Sequence, residues 1–145
     1  MEITKVTEIE VRYKRSRKLY GKINEAEQVV EFIRKIMLDR GYLQYKEVFM
    51  SLYLDKKNCV HAWAINGVGE VGGVCINARE IATLALMTNS SGVIVAHNHP
   101  SGNTTASEAD RMVTLKLRKG LAFLDVHLLD SLIITSDSFT SIIAQ

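Results

Sequence analysis

Residues 93–110 read Val93-Ile94-Val95-Ala96-His97-Asn98-His99-Pro100-Ser101-Gly102-Asn103-Thr104-Thr105-Ala106-Ser107-Glu108-Ala109-Asp110. The four apolar residues after Ser90-Ser91-Gly92 have the uniform hydrophobicity of a strand covered on both faces, and the run stops at His97. On an extended backbone two histidines two apart project to one side, so both imidazoles can converge at the strand end. Pro100-Ser101-Gly102 then turns the chain. Ser107 to Lys119 has helical propensity and an apolar stripe that includes Met112 and Val113, with Gly120 as the stop signal. A buried strand leading through a turn into a helix is the unit of a layered α/β domain.

Working outward, Val126 to Thr135 and Phe139 to Ile143 read as closing strands. Upstream, Asn77 can cap a helix that carries Ile81, Leu84 and Ala85 on one face. Glu47 to Leu54 and Cys59 to Ile65 are rich in β-branched and aromatic residues, and Asp55-Lys56-Lys57-Asn58 between them supplies turn chemistry, which predicts a hairpin. Asn66-Gly67-Val68-Gly69 and Gly72-Gly73 bracket a further short extended stretch. Ala26, Val29, Val30, Ile33, Ile36 and Met37 recur at helical spacing, which predicts a helix over 25–39 with Asn24 as its cap and Arg40-Gly41 as its stop. Val6 to Tyr13 is a candidate edge strand, and Arg12-Tyr13-Lys14-Arg15-Ser16-Arg17-Lys18, followed by Tyr20 and Lys22, forms a basic arm. These divide the chain into residues 1–22 and a single domain over 23–145, with three helices and a sheet that mixes hairpins with strand-helix-strand crossings.

Composition agrees with one ordinary globule: 145 residues, 47% hydrophobic and 23% charged, with one proline. A formal charge of +2 gives no argument for a nucleic-acid partner. No apolar run approaches the roughly 18 residues of a membrane span, and Met1-Glu2-Ile3-Thr4-Lys5 does not open a signal peptide, so no membrane association and a cytoplasmic location are expected. Cys59 and Cys75 form no C-x-x-C pair and read as reduced, buried cysteines.

The chemistry concentrates at 97–110. His97 and His99 would be joined by Asp110, whose carboxylate, in the first turn of the helix, can swing back towards the rings. Two imidazoles and a carboxylate suit zinc, and three protein ligands leave a fourth position for water. Ser107-x-x-Asp110 is also a capping-box pattern, which alone would explain those two residues, and H-x-H by itself is a weak signal. His61, beside Trp63 in a strand, and His127 read as structural histidines. Literal H-N-H is not the signature of HNH nucleases, whose residues are scattered over a longer motif. The P-C-x-x-C pair of zinc nucleobase deaminases is missing.

His97, His99, Ser107 and Asp110 fall at the intervals H-x-H, seven residues, serine, two residues, aspartate. In this the sequence resembles the JAMM (MPN-type) metalloproteases. It is closer to their RadC-like branch, which is named for DNA repair and adds H-N-H-P-S-G, found here at 97–102. Asn77-Ala78-Arg79-Glu80-Ile81 and Leu128-Leu129-Asp130-Ser131-Leu132-Ile133-Ile134 extend the likeness to about 24–142. The resemblance implies a three-layer α/β architecture, a mixed β-sheet flanked by helices, of the JAMM/MPN and cytidine-deaminase-like kind. It also implies a catalytic glutamate early in an upstream strand, a position that Glu47 fills better than Glu70 or Glu80.

The implied mechanism is zinc-dependent hydrolysis of a peptide or isopeptide bond in a peptide or protein substrate. Glu47 would be the general base and Ser107 a donor to the developing oxyanion. Many family members place a proline just before the motif serine; Ala106 stands there, which predicts a looser loop. The likeness does not extend to a helix-hairpin-helix region before the domain, so duplex binding is less supported than the family name suggests. The rival expectation is a non-hydrolytic, metal-stabilised accessory module in DNA repair or mobile-element biology, which binds nucleic acid or a protein partner through Arg12 to Lys22.

Overall fold

A computed structural model describes Glu8, residues 25–69 and residues 76–143. The basic arm, the candidate edge strand apart from Glu8, Asn24, Glu70 and Cys75 lie outside the described residues. The order of elements is α1 (Ala26–Asp39), β1 (Glu47–Leu54), β2 (Val60–Gly69), α2 (Ala78–Met87), β3 (Gly92–Asn98), α3 (Glu108–Phe123), β4 (His127–Ile134) and β5 (Phe139–Ser141). The five strands form one mixed sheet in the order β2-β1-β3-β4-β5. Among the described residues only the β3–β4 pair is parallel, as a strand-helix-strand crossover through α3 requires.

Alternation along β1 explains the three layers. Val48, Met50, Leu52 and Leu54 pack with Val29, Val30, Ile33 and Met37 of α1 on one face. Phe49 and Tyr53 pack with Ile81 and Ala85 of α2 and Leu117 and Leu121 of α3 on the other. A strand covered on both faces cannot show the polar alternation of a surface strand. Ile33 is fully buried in the first cluster. Ile33→Ala is expected to lower unfolding free energy by about 2–5 kcal/mol, read as an earlier urea midpoint at an unchanged slope.

The three helices among the described residues end alike. Gly41, Asn89 and Asp125 take left-handed φ values of 71°, 50° and 57°. The amides that follow them, Tyr42, Ser90 and Val126, bond back to the carbonyls of Met37, Ala85 and Leu121 at 2.8–2.9 Å. This is the Schellman arrangement. It corrects the expected stop of α3: the helix runs through Gly120 to Phe123 and ends at Asp125, where an aspartate adopts the conformation usually given to glycine or asparagine. Its buried positions are Thr114, Leu117 and Leu121, whereas Met112 is exposed.

Other boundaries also move. The cap position of α1 is Glu25, with no side-chain hydrogen bond, whereas Asn77 caps α2 through the amides of Arg79 and Glu80 as expected. Strand β2 continues to Gly69 because Asn66 is absorbed as a bulge: Met50 pairs with Ile65 and Phe49 with Gly67. Cys59 is a free thiol, half-buried and not in the core.

Candidate metal centre

Strand β3 carries His97 in its buried last turn of register and releases His99 just beyond its end. The His97 ring stacks on Phe49, its rung partner on β1, at 6.0 Å between centroids and 13° between planes. The His99 amide bonds to the Ile134 carbonyl at 3.0 Å, which ties the departing chain to β4. The two Nε2 atoms lie 3.0 Å apart.

Helix α3 brings the carboxylate. Ser107 caps it by accepting from the Asp110 amide, while Asp110 Oδ2 accepts from the Ser107 amide at 2.8 Å, a complete capping box. The same carboxylate faces both rings, Oδ1 at 3.2 Å from His97 Nε2 and Oδ2 at 3.5 Å from His99 Nε2. Burial alone would raise the Asp110 pKa. The hydrogen bond with His97 and those with Ser107 outweigh it and hold the carboxyl well below its usual range. Capping and ligation are therefore compatible readings of Ser107-x-x-Asp110.

Glu47 opens β1 two residues before Phe49, and its carboxylate lies with ring nitrogens of His97 and His99 in a group whose ligand atoms are all within 4.8 Å of one another. These three could hold a metal ion, and Asp110 lies nearer to both rings than that limit.

The chemistry of the donors agrees. His99 Nδ1 donates to the Asn103 carbonyl at 2.7 Å, which fixes its tautomer and leaves the Nε2 lone pair facing His97 and Asp110, the usual outer support of a metal-binding histidine. His97 Nδ1 is buried without a hydrogen-bond partner among the described residues.

One cavity of about 260 Å³ is lined by Glu47, His97, His99, Ser107 and Asp110, with Phe49, Ile76 and Val113 as apolar wall and Thr114 and Ser131 hydrogen-bonded to each other. The loop from 100 to 107 is held despite the missing proline. Gly102 bonds to the His99 carbonyl, Thr105 to Asn103 Oδ1, and Ala106 is buried against Ile133 and Ile142. Glu80, a rival for the base, accepts instead from Asn66 at 3.1 Å on the surface.

Sequence reasoning passed over Asn98. It is fully buried and makes hydrogen bonds through both ends of its amide. Strand alternation was the available signal: a polar residue between two cavity-facing histidines must point into the opposite core, and there it needs partners.

A larger groove at the other end of the sheet, lined by Lys56, Lys57, Ser90 and Asp125 among others, places Ser90 beside His61. Proton accounting makes this a structural link. Thr88 Oγ1 donates to the Leu84 carbonyl, so Ser90 donates to Thr88 and His61 Nε2 donates to Ser90. A nucleophile and its base would need the opposite direction. His127 is exposed at the start of β4.

Among the described residues no helix is long and apolar enough to cross a membrane. The family model of the RadC-like JAB domain matches residues 23–145. A UPF0758 protein of Pseudoalteromonas translucida is 34% identical over 142 residues, 97% of this chain and 62% of its own length. A UPF0758 protein of Xanthomonas euvesicatoria is 44% identical over 88 residues, 61% of this chain and 39% of its own. A third, from Methanosarcina mazei, is 39% identical over 99 residues, 68% and 43%. The chain thus spans about two fifths to three fifths of the length of these relatives.

Proposed function

Because the chain belongs to the RadC-like JAB domain family, we propose that it is a metal-dependent hydrolase of amide bonds, peptide or isopeptide, with zinc as its ion. The observation that carries the proposal is the meeting of His97, His99 and the Asp110 carboxylate within 3.5 Å, in one cavity with Glu47 and Ser107. His97, His99 and Asp110 would hold the ion. Zinc with three protein ligands lowers the pKa of water at its open position towards about 7 and polarises a carbonyl.

The protein's own groups carry the rest. Glu47 takes a proton from the attacking water and returns it to the leaving nitrogen. Ser107 Oγ accepts from the Asp110 amide and so keeps its own O–H to donate to the oxygen that gains charge as the carbonyl becomes tetrahedral. Phe49, Ile76 and Val113 offer hydrocarbon contact to a peptide side chain and exclude water from that wall. The partner in this reading is a peptide or protein.

The test is a library of internally quenched peptides and isopeptides, presented to the zinc-loaded protein, to the protein stripped by chelator, and to the stripped protein given zinc again. Turnover that disappears on stripping and returns with zinc is expected. A loaded protein that cleaves nothing while binding DNA with a steep salt dependence, weakened by neutralising Arg12, Lys14, Arg15 and Arg17, would favour the accessory module instead.

A further inference from the structure

The antiparallel ladder between β1 and β3 has its last rung at Phe49 and His97. One step further, the chain after β3 turns away, with the His99 amide bonded to β4. Glu47 therefore stands where β1 has lost its partner on the β3 side, while its other edge still pairs with Gly69 of β2. The Asn98 side chain fills that place. Its Oδ1 accepts from the Val48 amide at 2.7 Å, and its Nδ2 donates to the carbonyls of Lys46 at 2.7 Å and Leu43 at 2.9 Å, with the Tyr42 carbonyl at 3.3 Å.

The Lys46 carbonyl and the Val48 amide belong to the two peptide units that flank Glu47. A primary amide offers the same donor–acceptor pair as a backbone peptide, so Asn98 supplies one more rung after the strand itself has left. We infer that Asn98 is a positioning residue for Glu47, holding the backbone on both sides of the carboxylate in register with the imidazoles that flank Asn98 in sequence. The inference rests on the proposed function for the role of Glu47. Asn98 lines no part of the cavity and acts only through the backbone it holds.

Asparagine is specific for this task. Aspartate would keep the acceptor for Val48 but turn a second oxygen towards the Lys46 and Leu43 carbonyls, and serine is too short to reach both sides at once. The experiment compares wild type, Asn98→Asp, Asn98→Ser, Glu47→Gln and the double variant Asn98→Ser/Glu47→Gln. The readouts are hydrogen exchange at the Val48 amide, the visible absorption of the cobalt-loaded protein, and kcat and KM on a substrate from the library.

In the Asn98 variants Val48 should exchange faster and cobalt should still bind. The absorption envelope should change as it does in Glu47→Gln, the double variant should go no further, and kcat should fall roughly 10- to 100-fold with KM little changed. Lower thermal stability with unaltered cobalt spectrum and kcat would overturn the inference and leave the proposed function standing. A wild type that takes up no cobalt, or a Glu47→Gln spectrum and kcat equal to wild type, would overturn both. If Asn98→Asp does not fold, Asn98→Ser carries the comparison. Rapid exchange at Val48 in the wild type would by itself remove the clamp.

Discussion

Glu47→Gln is expected to lower kcat by roughly 100- to 10,000-fold while metal content stays at the wild-type value. That range is what a positioned acid–base group contributes to proton transfer. The variant is informative because it changes so little else: glutamine has the same length and hydrogen-bonding reach but cannot accept and return a proton at neutral pH. Glu47 is half-buried at the start of β1, and the backbone hydrogen bonds around it do not depend on its side chain. Turnover on the best library substrate, with elemental analysis of the same samples, gives the comparison. Retained kcat would remove Glu47 as the base, and Glu80, tied to Asn66 on the surface, would not replace it.

His99→Ala should abolish metal binding. The wild type, prepared without a histidine tag or chelator, is expected to carry about one zinc per chain, as three protein ligands with an open position would hold it. The variant should carry less than about a tenth of that. Loss of fold should not confuse the result, since the ring is partly exposed at 17% and its one backbone partner is the Asn103 carbonyl. A thermal melt adds a second readout. An ion that binds only the folded state at about 1,000 times its Kd stabilises by about 4 kcal/mol, and His99→Ala should show no such zinc-dependent rise. A wild type that stays empty after zinc reconstitution would sink the enzyme reading.

The strands and helices that bury apolar faces were legible because burial leaves a pattern in sequence: the run 93–96, the hairpin around Asp55, and the α1 stripe all stand where expected. Errors fell at residues whose usual meaning the tertiary structure overrode. Asn66-Gly67 has turn chemistry, yet a bulge absorbs it and β2 runs on. Gly120 has the look of a helix stop, but Val126 docks beside Leu121 in the core and moves the stop to Asp125. Met112 sits near apolar neighbours in sequence and on the outer side of α3 in space.

At the centre, spacing brought His97, His99 and Asp110 into consideration, and the resemblance added Glu47 and Ser107. Asn98 was missed because its partners, Lys46 and Val48, lie about fifty residues away, and no local pattern reports a contact of that range.

The capping box at Ser107 and Asp110 has a consequence for how tightly an ion is held. A free aspartate side chain loses rotamer freedom when it coordinates, and that loss is subtracted from the affinity. Asp110 is already confined by the Ser107 amide, because its carboxylate closes the first turn of α3. Its ordering is completed when the helix forms, so in the proposed function an arriving ion would meet a carboxylate that has little entropy left to give up.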